Sequence, residues 1–252
     1  MDLLTIDQLS MHFGGLKAIQ KLDLTIKEGQ IKGLIGPNGA GKTTLFNVIS
    51  GAYKQTYGKI TFKGKDISTL KPYQTASLGL VRTFQEITQF KNFSVLKAVM
   101  IGCHLNSGYN FFSALLNTPY MRRQEERNRD KSMEILEFMG LANLKDELAL
   151  NLPNGHQRAL GISVALAAQP DLLLLDKPVT GMNPEETDEM MKLITKIRDK
   201  GVSILIIEHD MKVVMGLCDE ICVINFGTKI AEGSPKEIQT DKKVLEAYLG
   251  SE

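Results

Sequence analysis

The run Gly36-Pro37-Asn38-Gly39-Ala40-Gly41-Lys42-Thr43-Thr44 carries the spacing G-x-x-x-x-G-K-[ST], which is chemistry for holding phosphate. Its glycines let the backbone curl until successive N–H groups face an anion. The lysine reaches β- and γ-phosphates and the first threonine offers a hydroxyl to Mg²⁺. The apolar stretch Ile31-Lys32-Gly33-Leu34-Ile35 precedes the run, and a helix is expected from about Lys42. Amides at that helix N-terminus add positive potential at the same point. A glycine-rich turn that matched by accident would not need that context of strand before and helix after.

Five further segments have residue types suited to a nucleotide. Leu172 to Leu175 followed by Asp176 is an apolar strand ending in a carboxylate, a form that reaches Mg²⁺ directly or through water. Leu152 is followed by Pro153, Asn154, Gly155, His156 and Gln157 just before a helix, and such a glycine-bearing N-terminus can bind phosphate presented by another subunit. Gln85, in Arg82-Thr83-Phe84-Gln85, follows a strand and can touch both metal and water; an ordinary loop glutamine is the other reading. His209 follows Ile204 to Ile207, where an imidazole either contacts a terminal phosphate or rests as a satisfied histidine beside the sheet. Phe13 comes after the first strand and either stacks on adenine or joins the core.

The elements that must position these residues change character along the chain. Leu3 to Leu9, Lys21 to Ile26, Ile31 to Ile35 and Lys59 to Phe62 read as strands, with Lys63 to Asp66 as a polar turn. From about Asn92 to Ala168 the apolar spacing becomes helical, as in Val95, Leu96, Val99 and in Met133, Leu136, Met139. After Pro170 strands and helices alternate again. Leu172 to Leu175 is a strand, a helix is capped near Asn183-Pro184, Ser203 to Ile207 is a strand, a short helix starts at Met211, and a hairpin lies around Glu220 to Ile230. The expected fold is α/β: a P-loop NTPase core with a parallel sheet, an N-terminal antiparallel β subdomain and an inserted α-helical subdomain. Residues 1–91 and 169–252 then form the nucleotide core, and 92–168 the helical insert.

Composition narrows the partners. The chain has 252 residues, long enough to bury a substantial core, and a formal net charge of +1. Its one dense charged run, Met121 to Lys131, mixes signs along an expected helix, which is a solvated face and not a nucleic-acid footprint. Cys103, Cys218 and Cys222 form no C-x-x-C pair and the four histidines are scattered, so neither a zinc site nor a disulfide framework is expected. Acidic residues near the start argue against an export signal. The most apolar tracts fall far short of the ~20 residues of a membrane span, so a membrane crossing would have to come from another chain.

In this order the segments resemble the nucleotide-binding domain of ABC transporters over nearly the whole chain. Gly36 to Thr44 matches Walker A, Gln85 the Q-loop, Leu152 to Gln157 the signature, Leu172 to Asp176 Walker B, Gly181-Met182-Asn183 the D-loop and His209 the switch histidine. Three segments resemble the ATP-binding subunits of high-affinity branched-chain amino acid importers: GGLKAIQKLDL near the start, Gly108 to Arg123, and the stretch from Glu208 to Pro235. Related ATPases serving urea or amides, or lipopolysaccharide export, share the pattern. An ATP-gated interaction module without transport is the alternative of another class, although such proteins usually carry two of these domains in one chain.

The resemblance implies two such ATPases, the same or homologous, beneath two membrane permeases fed indirectly by a substrate-binding protein, at the cytoplasmic face of the membrane. ATP on Walker A of one subunit meets the signature of the other. Phe13 would stack on adenine, and Gly39 to Lys42 would hold the β- and γ-phosphates. Thr43, Gln85 and Asp176 would arrange Mg²⁺. The permease contact would fall on Ile87, Gln89, Phe90 and Phe93 and part of the insert, although core packing is the competing reading for Phe90 and Phe93. The same choice, core or partner surface, holds for Tyr109, Phe111, Phe112, Leu115 and Leu116.

One departure bears on catalysis. The family places a glutamate after the Walker B aspartate to position and deprotonate the attacking water; here that residue is Lys177. A lysine with an ordinary pKa near 10.4 stays protonated beside anions and cannot take the proton of water. ATP binding with slow turnover is therefore expected; the alternatives are a substitution in an otherwise ordinary subunit, or a paired partner that supplies the competent site. Pro153, Asn154, His156 and Asn183 also depart from the commonest ABC pattern, but the backbone donors near Gly155 survive those changes.

Overall fold

The computed structural model describes residues 1–83, 87–103 and 119–249. Chain order is β1 (Asp2–Phe13), β2 (Leu16–Lys27), β3 (Ile31–Ile35), α1 (Lys42–Ile49), β4 (Tyr57–Phe62), β5 (Lys65–Asp66), α2 (Pro72–Ser77), β6 (Leu80–Arg82), α3 (Val95–Cys103), α4 (Pro119–Phe138) and α5 (Asn154–Ala167). There follow β7 (Leu172–Asp176), α6 (Pro184–Asp199), β8 (Ser203–Ile207), α7 (Met211–Leu217), β9 (Glu220–Asn225), β10 (Thr228–Gly233), α8 (Pro235–Thr240) and α9 (Lys242–Leu249).

Two sheets form. One is antiparallel in the order β2-β1-β4-β5; the other runs β10-β9-β3-β8-β7-β6, with parallel pairing from β9 through β6 and β10 antiparallel at its edge. This is the expected α/β arrangement, and its central strands are apolar almost throughout because both faces are covered. Side chains alternate between those faces. Ile31, Ile35, Leu173, Leu175, Ile204 and Ile206 pack in one core with α3, α5, α6 and α7. Leu34, Leu172, Leu174, Leu205 and Ile207 pack in the other, against α1 and the antiparallel sheet. The P-loop strand is thereby fixed from both sides.

Lys32 departs from the apolar rule in mid-strand. It lies in β3 with 1% exposure, its ammonium donating to Glu220 at 2.7 Å and to the Thr25 carbonyl at 2.7 Å, and pairing also with Glu232. These bonds tie β3 to β2, β9 and β10. Burial alone would push the Glu220 carboxyl up, but hydrogen bonding and charge from Lys32 prevail and hold it below the usual range.

The first two strands are longer than the sequence pattern predicts. Expectation ended the first at Leu9 and began the second at Lys21, whereas β1 continues to Phe13 and β2 starts at Leu16. The pairing shifts register around Ile6, Leu9 and Met11, and Gln8 and Lys21 adopt left-handed φ of 47° and 41°. Such bulges interrupt the alternation by which strands are read. The short helices α8 and α9 were not anticipated; α8 starts on a capping box between Ser234 and Glu237. Among the described residues, no helix is long and apolar enough to cross a membrane.

Candidate nucleotide-binding site

Strand register assembles the site. Leu34, Ile207 and Asp176 align across β3, β8 and β7. The residues that follow each strand, Gly36 onward, Glu208-His209 and Lys177, therefore leave the sheet along one edge. The loop after β3 needs its glycines. A Cβ on Gly36 would sit 2.0 Å from the Ile224 carbonyl oxygen, and one on Gly41, at φ 104°, 2.6 Å from that of Ala18. Neither space admits a side chain, so the loop can pass against the sheet only as glycine. The turn of the β9-β10 hairpin backs it, the Gly227 N–H donating to the Ala40 carbonyl at 3.0 Å.

Lys42 opens α1 and folds back on its own loop, donating to the carbonyls of Gly36 at 2.6 Å and Pro37 at 2.8 Å. Burial, then the nearby Lys177 ammonium, lowers its pKa, with Asp176 opposing. Its ammonium thus sits in a site already rich in positive charge. Thr43, the next residue, is exposed.

Asp176 ends β7 with 4% exposure. Arg82 donates to its Oδ2 at 2.8 Å, and the same guanidinium reaches Asn47 at 2.6 Å and lies 5.6 Å from the Phe46 ring centroid. Oδ1 of Asp176 is buried without a hydrogen-bond partner. A buried carboxylate oxygen left open at the strand end, on the sheet edge that the phosphate loop also leaves, suits the shell of a hard divalent cation. Gln85, the third expected metal residue, lies outside the described residues.

Lys177 follows at a left-handed φ of 53°, its N–H bonded to the Ile207 carbonyl at 2.9 Å. Glu208 is buried, its Oε1 accepting from the Val179 N–H and its Oε2 from the His209 N–H, both at 3.1 Å. It braces the turn after Asp176 to the turn carrying His209. The His209 side chain is 63% exposed with Nδ1 3.7 Å from Glu208 Oε2, so it is not packed away beside the sheet. Phe13 is 43% exposed and meets Tyr53 edge to face at 5.6 Å between centroids, which leaves its ring outside the core.

The signature residues do not join this cluster. Pro153 caps α5, which begins at Asn154, and Gly155 and His156 line a cavity of about 430 Å³ with Met182 and Glu186. The Gln157 amide turns back to donate to the Leu152 carbonyl at 2.8 Å, fastening the loop to the helix. Asn183 caps α6 reciprocally with Glu186. Phe90 is buried in the core while Phe93 is 41% exposed. Tyr109, Phe111, Phe112, Leu115 and Leu116 lie outside the described residues, as does the side chain of Ile87.

Sequence reasoning passed over Arg82, Glu208 and Tyr248. The Tyr248 hydroxyl on α9 hydrogen-bonds the backbone of Gly36, and burial, opposed by that bond, raises its pKa. None of the three has a local spacing signal; each acts on a residue distant in sequence.

A P-loop lysine, a strand-end aspartate and an exposed histidine along one sheet edge, beside a helical layer, define an ATP-binding cassette. The ABC transporter family pattern matches residues 19–180, and that of the branched-chain amino acid ATP-binding cassette transporters matches 228–252. The chain is 43% identical over 249 residues to a high-affinity branched-chain amino acid transport ATP-binding protein, LivG, of Salmonella typhimurium, covering 98% of both chains. It is 40% identical over 249 residues to the corresponding BraF of Pseudomonas aeruginosa, again covering 98% of both. A nucleotide-free ATP-binding cassette from an ABC transporter superposes with a TM-score of 0.88 at 33% identity, with full coverage of both chains. The chain therefore belongs to the ABC transporter ATP-binding family, in the branch of the branched-chain amino acid transport cassettes.

Proposed function

We propose that this chain is the energy-coupling ATPase subunit of an importer of branched-chain amino acids, and that it grips ATP well but cleaves it slowly. The observation that carries this reading is the P-loop edge itself, where Lys42 and Asp176 are in place and the residue between Asp176 and the turn is Lys177. On ATP binding, the amides from Gly39 onward would hold the phosphates, with Lys42 leaving the carbonyls of Gly36 and Pro37 for them. Phe13 would stack on the base, held by Tyr53. Thr43, Asp176 and Gln85 would hold Mg²⁺, which when bound neutralises charge on the β- and γ-phosphate oxygens. His209 would address the γ-phosphate. Residues Pro153 to Gln157 would meet the ATP of a second ATPase, the same or homologous, with residues 92–168 as the helical subdomain that presents them.

The groove of about 700 Å³ between Phe90, Arg82, Ile101, Gly102 and Val164 would take one of two membrane permeases, and the assembly would serve a substrate-binding protein. The chain would then sit peripherally on the cytoplasmic face of the membrane, in keeping with its having no spanning helix among the described residues. Hydrolysis is the weak step because no carboxylate at position 177 can accept a proton from water. Steady-state ATPase of the chain with co-expressed permeases should rise by roughly 10²-fold or more in Lys177→Glu, the usual size of a general-base effect. Equal and robust rates in both would refute slow turnover, and failure to co-elute with folded permeases would refute the transport role.

A further inference from the structure

One guanidinium ties three elements together at the sheet edge. Arg82 ends β6, which pairs with β7 in a register that sets Arg82 opposite Leu174. Its Nη2 donates to Oδ2 of Asp176, at the end of β7, at 2.8 Å. Its Nη1 donates to Oδ1 of Asn47 on α1 at 2.6 Å, and the group lies 5.6 Å from the ring centroid of Phe46 on the same helix. A planar fork with fixed N–H directions holds both oxygens at once, which the point charge of an ammonium does not.

The elements joined in this way carry two of the expected metal residues, Thr43 in the first turn of α1 and Asp176 at the end of β7. The Asp176 side chain is 1% exposed and that of Arg82 21%, so water competes little for the pair. With Oδ2 engaged, the carboxylate is held in one orientation and Oδ1 is the oxygen left without a partner. A pair serving stability alone needs only the contact with Asp176. Here the second bond goes to the helix that carries Thr43.

We propose that Arg82 is a positioning residue for the divalent cation: its fork sets the Asp176 carboxylate against α1 with Oδ1 open, and so holds Asp176 and Thr43 in place before the metal arrives. This rests on the nucleotide and metal reading above. Groups hydrogen-bonded behind a metal-binding carboxylate are typically worth about 10–100-fold in metal affinity. Charge acts in the opposite direction, since removing a guanidinium beside the carboxylate favours a second cation there. The sign of the effect therefore separates positioning from electrostatics.

Titration calorimetry of the full chain with ATP, once in EDTA and once in Mg²⁺, gives the ratio by which metal tightens ATP, and melting curves show that each variant is folded. In Arg82→Met that ratio should fall by about tenfold or more. Arg82→Lys should fall with it although the charge is kept, because one ammonium cannot span Asp176 and Asn47. Asn47→Ala leaves the pair with Asp176 intact, should lower the ratio by about threefold, the worth of a modest hydrogen bond, and carries the test if Arg82→Met does not fold. A ratio unchanged or raised in folded Arg82→Met overturns the proposal, as does an Arg82→Lys variant that keeps the full ratio or an Asn47→Ala variant that leaves it unchanged. Equal affinities in the two buffers for the unsubstituted chain overturn the metal reading beneath it, and absence of ATP binding in both overturns the nucleotide reading itself.

Discussion

Two buried lysine clusters flank the same strand and are balanced differently. At the start of β3, Lys32 is enclosed by Glu220, Glu232 and the Thr25 carbonyl. Beyond its end, Lys42 leans on two carbonyl oxygens with Lys177 nearby, and the carboxylate that acts on it, Asp176, is already half taken by Arg82. In the first cluster two carboxylates are met by Lys32 and, at Glu232, by Lys229 as well, and every partner belongs to the fold. In the second the cations prevail and one buried oxygen stays open. A closed cluster specifies strand order; an open one waits for a ligand. The contrast separates stability from binding within a single strand and its loop.

The closed cluster should break with the largest effect. Lys32→Met leaves Glu220 without its cation and Glu232 with Lys229 alone, beside a site of 1% exposure, and urea unfolding should show a loss of about 3–5 kcal/mol. Adding Glu220→Gln to it should recover much of that loss, since the penalty is the unpaired charge. The same cluster predicts the acid limb of stability. The Glu220 carboxyl is held below its ordinary value, so its contribution is complete above the unfolded pKa of about 4.3 and fades as pH falls through the lower folded pKa. Lys32→Met should flatten that limb in a pH series of urea midpoints.

The open cluster should respond in binding and hardly in folding. Lys42→Ala should weaken ATP by about 1.5–3 kcal/mol, the worth of hydrogen bonds to a charged partner, with an unchanged or slightly raised melting temperature because a crowded cation has gone. A large loss of stability in Lys42→Ala would erase the distinction between the clusters. The smallest effect is expected at Tyr248→Phe, which removes the hydroxyl on the Gly36 backbone. Unfolding should lose about 0.5–1.5 kcal/mol, and the ATP affinity should change less than in Lys42→Ala.

The two clusters were unequally legible in the sequence. Lys42, Thr43 and Asp176 stand out because phosphate and metal chemistry fix their local spacing, and the strands beneath them, Ile31–Ile35, Leu172–Asp176 and Ser203–Ile207, are short apolar runs that only a covered sheet accepts. Lys32 showed nothing, since its carboxylate partners lie 188 or more residues away along the chain. Arg82 on Asp176, 94 residues apart, and Glu208 on Val179, 29 apart, were hidden for the same reason. Strand ends in β1 and β2 were misread because the bulges at Gln8 and Lys21 disguise the alternation. Periodicity reports a face, and charge pairing across a sheet leaves no periodic trace.

Lys177 stands where a glutamate would supply the base that cleaves ATP, on the same edge as the loop proposed to hold it. The direct test is to load the purified chain with ATP and Mg²⁺, remove free nucleotide and identify what remains bound. The unsubstituted chain should return ATP, and Lys177→Glu, treated alike, should return ADP. Recovery of ADP from the unsubstituted chain as fast as from Lys177→Glu would contradict slow turnover.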